Sequence, residues 1–150
     1  MCVVTRYLED LAPGLCIEVG CYRLTRDEIV DVARRWDPQP FHVDEAAAAA
    51  SIFGGLTASS LPLFAICTRL FFDLADPFAT LAMLGKDEVR FPNPARADDE
   101  LRYVTECVEV RPSRTKPDRG VVVLADMLAR RSGEPVLTQK VSLLVARRAS

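Results

Sequence analysis

Apolar residues recur at helical spacing in the segment that ends at Trp36. The helix is predicted to begin after Thr25, a favoured N-cap residue, with Glu28 three positions later to complete a capping box. It should end at Trp36, because the next residue precedes a proline and therefore avoids helical dihedral angles. A second proline at position 40 restricts the chain in the same way, so residues 37–41 are predicted to form a stiff, non-helical connector.

Two further helices follow from composition and spacing. Asp44 is a suitable N-cap for a short helix over residues 45–50, which are mostly alanine, and the Gly54-Gly55 pair should break that helix. A longer helix begins at Ser59, and a proline at its position 62 is tolerated because the first turn has no amide partners to lose. Almost no polar face remains in this helix, which predicts that it is buried on most sides.

Five other segments are strand-like in composition. The last of them alternates clearly, with Leu137, Val141, Leu143 and Val145 against Thr138, Lys140 and Ser142. Short connectors rich in turn residues separate the last four segments, which indicates an antiparallel sheet. The predicted fold class is α+β, a single domain in which a curved antiparallel sheet wraps around the long buried helix. The strand-like segments are residues 15–23, 81–91, 100–111, 120–131 and 135–147.

Composition narrows the class of protein. A chain of 150 residues with a net charge of −2 favours one globular domain and argues against nucleic-acid binding, for which a basic face is typical. Residues 52–74 are the most apolar stretch, but glycine, proline and charged residues interrupt them, so no membrane span is expected. The first residues lack a signal-peptide pattern. An odd number of cysteines without C-x-x-C spacing favours reduced thiols and a cytoplasmic protein; these are Cys2, Cys16, Cys21, Cys67 and Cys107.

The candidate chemistry lies in the connector. His42 is the only histidine, and it stands five residues after Asp37 across the two prolines. A carboxylate that activates water, beside an imidazole that gives or takes a proton, is suited to general acid–base catalysis. Free amides at the start of the long helix, near Ser59 and Ser60, are suited to polarising a carbonyl oxygen. Apolar side chains are expected to surround the pair and to lower the local dielectric constant: Trp36, Phe41, Ile52 and Phe53.

Spacing alone leaves structural explanations open. Asp37 is also suited to capping a turn, and His42 to being a buried, hydrogen-bonded core residue. A metal site is disfavoured, because one histidine with Asp37 and Asp44 is a poor ligand set. The basic stretch of residues 111–119 is expected to be a solvated hairpin connection.

The segment DPQPFHVDEAAAAASIFGGLTASS resembles the signature of the MaoC-like family, the (R)-specific enoyl-CoA hydratases and related dehydratases. That signature is D-x-N-P-x-H, followed by an acidic-alanine helix and a phenylalanine-glycine turn into a central helix. The downstream segment VRFPNPARADDELRYVTECVEVRPSRTKPDRGVVVL also resembles the family's strand pair and its Arg-Pro-Ser hairpin. The resemblance extends over about residues 6–147 and implies a hot-dog fold.

The resemblance also implies roles for individual residues. Asp37 matches the family's base on the reacting water, and His42 matches the residue that passes a proton to or from the carbon next to the thioester carbonyl. The implied reaction is reversible hydration of a trans-2-enoyl thioester of coenzyme A, or of an acyl-carrier protein, to a 3-hydroxyacyl thioester. No metal and no organic cofactor are implied, and the implied assembly is a homodimer or a higher hot-dog oligomer. The substrate-binding positions are expected to be Gln39, Gly55, Ser59 and Ser60.

Two positions depart from the family pattern. Gln39 stands where asparagine is usual, and its side chain is one methylene longer. Ser60 stands where a glycine commonly lets a backbone amide approach the thioester oxygen, and Pro62 has no amide to donate. Gln39 and Ser60 keep open a second function, binding of an acyl thioester by a catalytically weak subunit. A third, hydrolysis of the thioester by water that Asp37 activates, stays open because the hot-dog fold implied by the resemblance also supports thioesterases.

Overall fold

The computed structural model describes residues 3–149, so the expectation for Cys2 lies outside the described residues. Five antiparallel strands form one sheet in the order β1-β3-β4-β5-β2. All five predicted strands are confirmed, with differences of no more than one residue at either end. Their bounds are β1 Cys16–Arg23, β2 Thr80–Arg90, β3 Glu100–Pro112, β4 Arg119–Arg130 and β5 Pro135–Ala146.

The helices lie between β1 and β2, after a 3₁₀ turn at Leu8–Asp10. The predicted capping box is confirmed, since the Thr25 amide donates to Glu28 Oε2 at 2.9 Å and the Glu28 amide donates to Thr25 Oγ1 at 3.2 Å. The predicted Asp44 cap is confirmed by a 2.7 Å bond from the Ala47 amide to Asp44 Oδ1. Within residues 3–149, no helix has the length and apolar character needed to cross a membrane. The helices are α1 Arg26–Trp36, α2 Pro40–Val43, α3 Glu45–Ala49 and α4 Ser60–Phe72.

The prediction of a non-helical connector over residues 37–41 is wrong for Pro40 and Phe41, which are helical. Gln39 is extended, with φ −68° and ψ 142°, as a residue before proline should be. Pro40, however, occupies the first position of α2, where its fixed φ suits a helix and its missing amide removes no hydrogen bond. The Asp44 amide closes the turn on the Pro40 carbonyl at 2.9 Å. His42 therefore projects from a short helix rather than from an extended loop.

Helix α4 packs on the sheet along one side only. Leu63, Ile66 and Cys67 are at most 5% exposed, whereas Leu61 is 40% and Phe72 79% exposed. The prediction that this helix is buried on most sides is wrong for the opposite stripe, because nothing in the described part of the chain covers it. The sheet-facing side joins α1 in a core cluster with β3, β4 and β5.

Strand β5 shows the alternation that positions the core. Its inward residues are buried and the residues between them are half-buried, which confirms the predicted pattern; the inward residues include Leu137, Val141, Leu143 and Val145. Cys67 and Cys107 are also buried, whereas Cys16 and Cys21 are exposed, and all four are free thiols.

Candidate active site

Asp37 and His42 lie at adjoining helix ends. Asp37 is the C-cap of α1, where its amide donates to the Ala33 carbonyl at 2.8 Å. His42 lies within α2, the short helix that follows. Asp37 Oδ2 and His42 Nε2 are 3.6 Å apart. This distance exceeds a direct hydrogen bond, but it allows one water molecule to contact both atoms.

A backbone carbonyl fixes the orientation of the imidazole. His42 is 6% exposed, and its Nδ1 lies 2.6 Å from the Thr57 carbonyl oxygen. Because a carbonyl oxygen only accepts hydrogen bonds, Nδ1 carries a proton and donates it. In the neutral ring, Nε2 is therefore the unprotonated nitrogen, and this is the nitrogen that faces Asp37.

Thr57 is held in place by two other segments. Its amide donates to the Phe41 carbonyl at 3.3 Å, and its hydroxyl donates to the Ala95 carbonyl at 3.3 Å. The next amide, of Ala58, donates to the same Ala95 carbonyl at 2.9 Å. Sequence reasoning missed Thr57, because the group that matters is a main-chain oxygen and every residue type carries one.

Gln39 reaches the carboxylate from the exposed side. Its Nε2 donates to Asp37 Oδ1 at 2.9 Å, whereas His42 faces Oδ2. The longer side chain at this position therefore still bonds to the site, and it fixes the rotation of the Asp37 carboxylate.

Fewer apolar side chains surround Asp37 and His42 than the sequence predicts. The ring of Phe41 packs edge-on against His42, with 4.5 Å between ring centroids, and against Phe53 at 5.1 Å. Trp36 and Ile52 are 64% and 97% exposed, so the expectation that they surround the pair is wrong. Both lie where the chain turns outward, Trp36 at the last position of α1 and Ile52 in the turn after α3.

Ser59 and Ser60 form the start of α4, two residues beyond the carbonyl that holds His42. Ser59 is the N-cap but makes no capping bond with its side chain. It is 3% exposed, and its Oγ has no hydrogen-bond partner among residues 3–149. The amides of Ser60 and Leu61 begin the helix without intrahelical partners, and Pro62 in the third position has no amide.

Gly55 contacts a different group. A Cβ atom added there would lie 3.1 Å from Nη1 of Arg96, which donates to the Phe53 carbonyl through Nη2. Gly54, with φ +64°, supplies the left-handed turn that ends the alanine-rich segment. Arg96 thus holds the Phe53–Gly55 turn, and Gly55 leaves room for it.

The arrangement joins a carboxylate, an imidazole with a defined unprotonated nitrogen, and helix-start amides in one small region. Such a set can move two protons and stabilise an oxygen that gains negative charge. Asp37, Gln39 and His42 are in mutual contact, and Ser59 and Ser60 are joined to them through Thr57.

Comparison with known proteins gives the family. Residues 19–126 match the model of the MaoC like domain. The MaoC-like dehydratase from Rhodospirillum rubrum is 37% identical, with a TM-score of 0.89 over 97% of this chain and 99% of that one.

Two more distant structures share the fold. A protein of Mycobacterium tuberculosis with a double hotdog fold is 20% identical, with a TM-score of 0.81 over 100% of this chain and 47% of that one. An (R)-hydratase from Pseudomonas aeruginosa is 22% identical, with a TM-score of 0.75 over 95% of this chain and 86% of that one. The chain thus has the hot-dog fold, and it belongs to the MaoC-like domain family.

Proposed function

We propose that the protein is a hydro-lyase that reversibly hydrates trans-2-enoyl thioesters to 3-hydroxyacyl thioesters. The observation that carries this proposal is the pair of His42 Nε2 and Asp37 Oδ2, 3.6 Å apart, with Nδ1 committed to the Thr57 carbonyl. Two groups that each exchange a proton, both within reach of one water molecule, match a reaction that adds H and OH to neighbouring carbons.

In the direction of hydration, Asp37 accepts one proton and His42 donates one. The Asp37 carboxylate takes a proton from water while the water oxygen bonds to C3 of the enoyl group. The His42 imidazolium gives its Nε2 proton to C2, and the ring returns to the neutral form. Dehydration reverses both steps, and proton exchange between Asp37 and His42 restores the starting state.

The start of α4 is the proposed site for the thioester oxygen. Negative charge develops there when C3 is attacked, and the amides of Ser60 and Leu61 are suited to stabilise it. The buried Ser59 hydroxyl is proposed to bind the substrate, because its hydrogen-bonding capacity is otherwise unused among residues 3–149. Gln39 is proposed to keep the Asp37 carboxylate oriented, and Gly55 to keep the adjoining turn open.

The proposed carrier is coenzyme A or an acyl-carrier protein, as the resemblance implies. The names of the dehydratase and the (R)-hydratase to which the chain is similar support the same reaction class. No metal or organic cofactor is proposed, because the protein's own carboxylate and imidazole account for both proton transfers. A cytoplasmic location is proposed on the basis of the exposed free thiols of Cys16 and Cys21.

A homodimer is proposed through the free edge of β2. This strand ends the sheet, and exposed side chains of Leu81, Met83 and Leu84 lie along it. An uncovered edge with apolar side chains favours pairing with another chain. Measurement of the mass of the protein in solution tests this assembly.

Crotonyl-CoA distinguishes the three candidate functions. Hydration removes the enoyl absorbance without releasing a thiol, whereas a thioesterase releases a thiol that a disulfide reagent detects. His42→Ala is expected to lose most hydratase activity and to keep the assembly of the wild-type protein. Full turnover in His42→Ala, or thiol release as the main signal, would contradict the proposal. Binding of acyl-CoA without either signal over several chain lengths would show a non-catalytic subunit.

A further inference from the structure

A pocket lies beneath the far half of α4, and neither Asp37 nor His42 is among the residues that line it. It is a cavity of about 600 Å³ between Cys67–Phe72 of the helix and the inner face of β2, β4 and β5. Most of its lining is apolar, and the exposed side chains of Phe72 and Met83 belong to it. Its volume is within the usual range of small-molecule sites.

A cross-strand ladder of buried polar residues lies at this cavity, and two of its members, Asp126 and Gln139, line it. Thr105, Asp126 and Gln139 stand directly opposite one another on β3, β4 and β5, and each is at most 5% exposed. Thr105 Oγ1 donates to Asp126 Oδ1 at 2.7 Å, and Gln139 Nε2 donates to Asp126 Oδ2 at 2.9 Å. The Tyr103 hydroxyl is a further hydrogen-bonding neighbour of this carboxyl group. Burial raises the pKa of Asp126, and hydrogen bonds oppose that rise.

Lys86 on β2 completes the ladder. Its Nζ donates to Gln139 Oε1 at 3.2 Å and lies 5.3 Å from the centre of the Phe64 ring. It forms no direct ion pair with a carboxylate of the described residues, and its charge acts on Asp126 through space. The cavity lining therefore holds a cationic donor and a buried carboxyl group on either side of Gln139, among mostly apolar side chains.

The presence of both Lys86 and Asp126 favours some terminal groups of an apolar ligand over others. A carboxylate would bind Lys86 but would approach the Asp126 charge, and an ammonium group would meet the reverse conflict. A plain alkyl end would leave both polar groups facing hydrocarbon. A hydroxyl both donates and accepts, so it can accept from Lys86 and donate to an oxygen of Gln139 or Asp126.

We propose that this cavity binds an aliphatic molecule that ends in a hydroxyl group, with the hydroxyl against the polar side chains of Lys86, Gln139 and Asp126 and the chain against Phe71. Neither Asp37 nor His42 lines this cavity, so binding of the ligand can be tested apart from the reaction. The hydroxyl belongs either to a free alcohol or to the far end of a thioester's acyl chain, since both carry the same chemistry.

Three probes that share an eight-carbon chain test the proposal: 1-octanol, octanoate and octylammonium. They are titrated into the intact protein at pH 7, with the backbone amide signals of the lining residues as the reporter. We expect the dissociation constant of 1-octanol to be at least about tenfold lower than those of both ions. Equal or tighter binding of either ion, or binding of octanol without shifts at the lining residues, would overturn the proposal.

Two variants should change the relative affinities for the two ionic probes in opposite directions. Lys86→Met removes the conflict with an ammonium group, so the affinity for octylammonium should rise relative to octanoate. Asp126→Asn should raise the affinity for octanoate relative to octylammonium. Lys140→Met is the matched control, because Lys140 pairs with Glu88 and does not line the cavity. In this control the relative affinities for the three probes should stay those of the wild type. A change as large as that in Lys86→Met would refute the role assigned to Lys86.

Two further measurements separate the site from the reaction and identify the source of the hydroxyl. Asp37→Asn should bind 1-octanol as the wild type does, even if the proposed hydration fails. If a terminal hydroxyl on a trans-2-enoyl thioester raises kcat/KM, and Lys86→Met removes that gain, the ligand is the acyl chain. Unchanged kcat/KM together with octanol binding identifies a free alcohol.

Discussion

Replacement of Ser59 by alanine is expected to stabilise the protein and to slow its reaction. The hydroxyl oxygen of Ser59 is buried and has no partner among residues 3–149, although this residue caps α4. The side chain makes no capping bond, so its removal does not weaken the helix start. What disappears in the variant is a polar atom that folding removes from water without compensation.

The magnitude follows from two opposing terms. A buried polar group without a partner costs about 1–3 kcal/mol, whereas the small void left by one missing atom costs up to about 1 kcal/mol. The free energy of unfolding should therefore rise by about 1 kcal/mol, which raises Tm by roughly 2–4 °C for a chain of this length. Loss of one neutral hydrogen bond to the substrate should lower kcat/KM roughly threefold to tenfold.

Urea unfolding and crotonyl-CoA hydration, measured on the same preparation, test both effects. Ser51→Ala is the matched control, because Ser51 Oγ donates to the Ala48 carbonyl at 2.6 Å and accepts from the Phe53 amide at 3.2 Å. That variant should lose about 1 kcal/mol of stability. If Ser59→Ala loses stability as Ser51→Ala does, or retains full kcat/KM, the reasoning about Ser59 is wrong.

Three other outcomes are expected. Asp37→Asn should lower kcat of the hydratase roughly 10²–10⁴-fold through loss of the base, while Asp31→Asn on the exposed side of α1 keeps wild-type kcat; a smaller loss at Asp37 would exclude it as the base. Burial raises the pKa of Asp126 above its unfolded value, so its contribution to stability is greatest at low pH and is lost as pH rises through the folded pKa. The gain in unfolding free energy of Asp126→Asn over wild type, measured in urea between pH 4 and pH 8, should therefore grow with pH, and a constant difference would refute this account. Treatment with a metal chelator should leave turnover unchanged, and restoration of a lost rate by added metal would contradict the proposed chemistry.

The sequence was sufficient for elements whose signals are local. The capping box of Thr25 and Glu28 is contained in four residues, and the alternation in β5 needs only neighbours in the chain. The proline rule correctly predicted extended backbone at Gln39, but Pro40 itself can start a helix, and α2 was missed for that reason. Exposure of Trp36 and Ile52 depends on the path of the chain after a helix ends, which hydropathy does not encode.

One member of the polar ladder can be identified from the sequence, because it is a charged residue at an inward position of a strand. Asp126 lies in phase with Val122, Leu124 and Leu128, the inward residues of β4. A charged residue at an inward position is unusual and needs partners. Those partners come from Thr105 and Gln139 on neighbouring strands, and only the register of the sheet brings them together.

The bond from His42 to the Thr57 carbonyl has a consequence for mutagenesis. Substitution at position 57 changes the side chain but keeps the oxygen that selects the protonated ring nitrogen. An alanine at this position would therefore lose the hydroxyl bond to the Ala95 carbonyl but keep the main-chain oxygen that binds Nδ1, so an alanine scan would understate the role of this residue. Changes that displace the backbone around Phe41 and Ala95, whose carbonyls bind Thr57 and Ala58, should instead disturb His42.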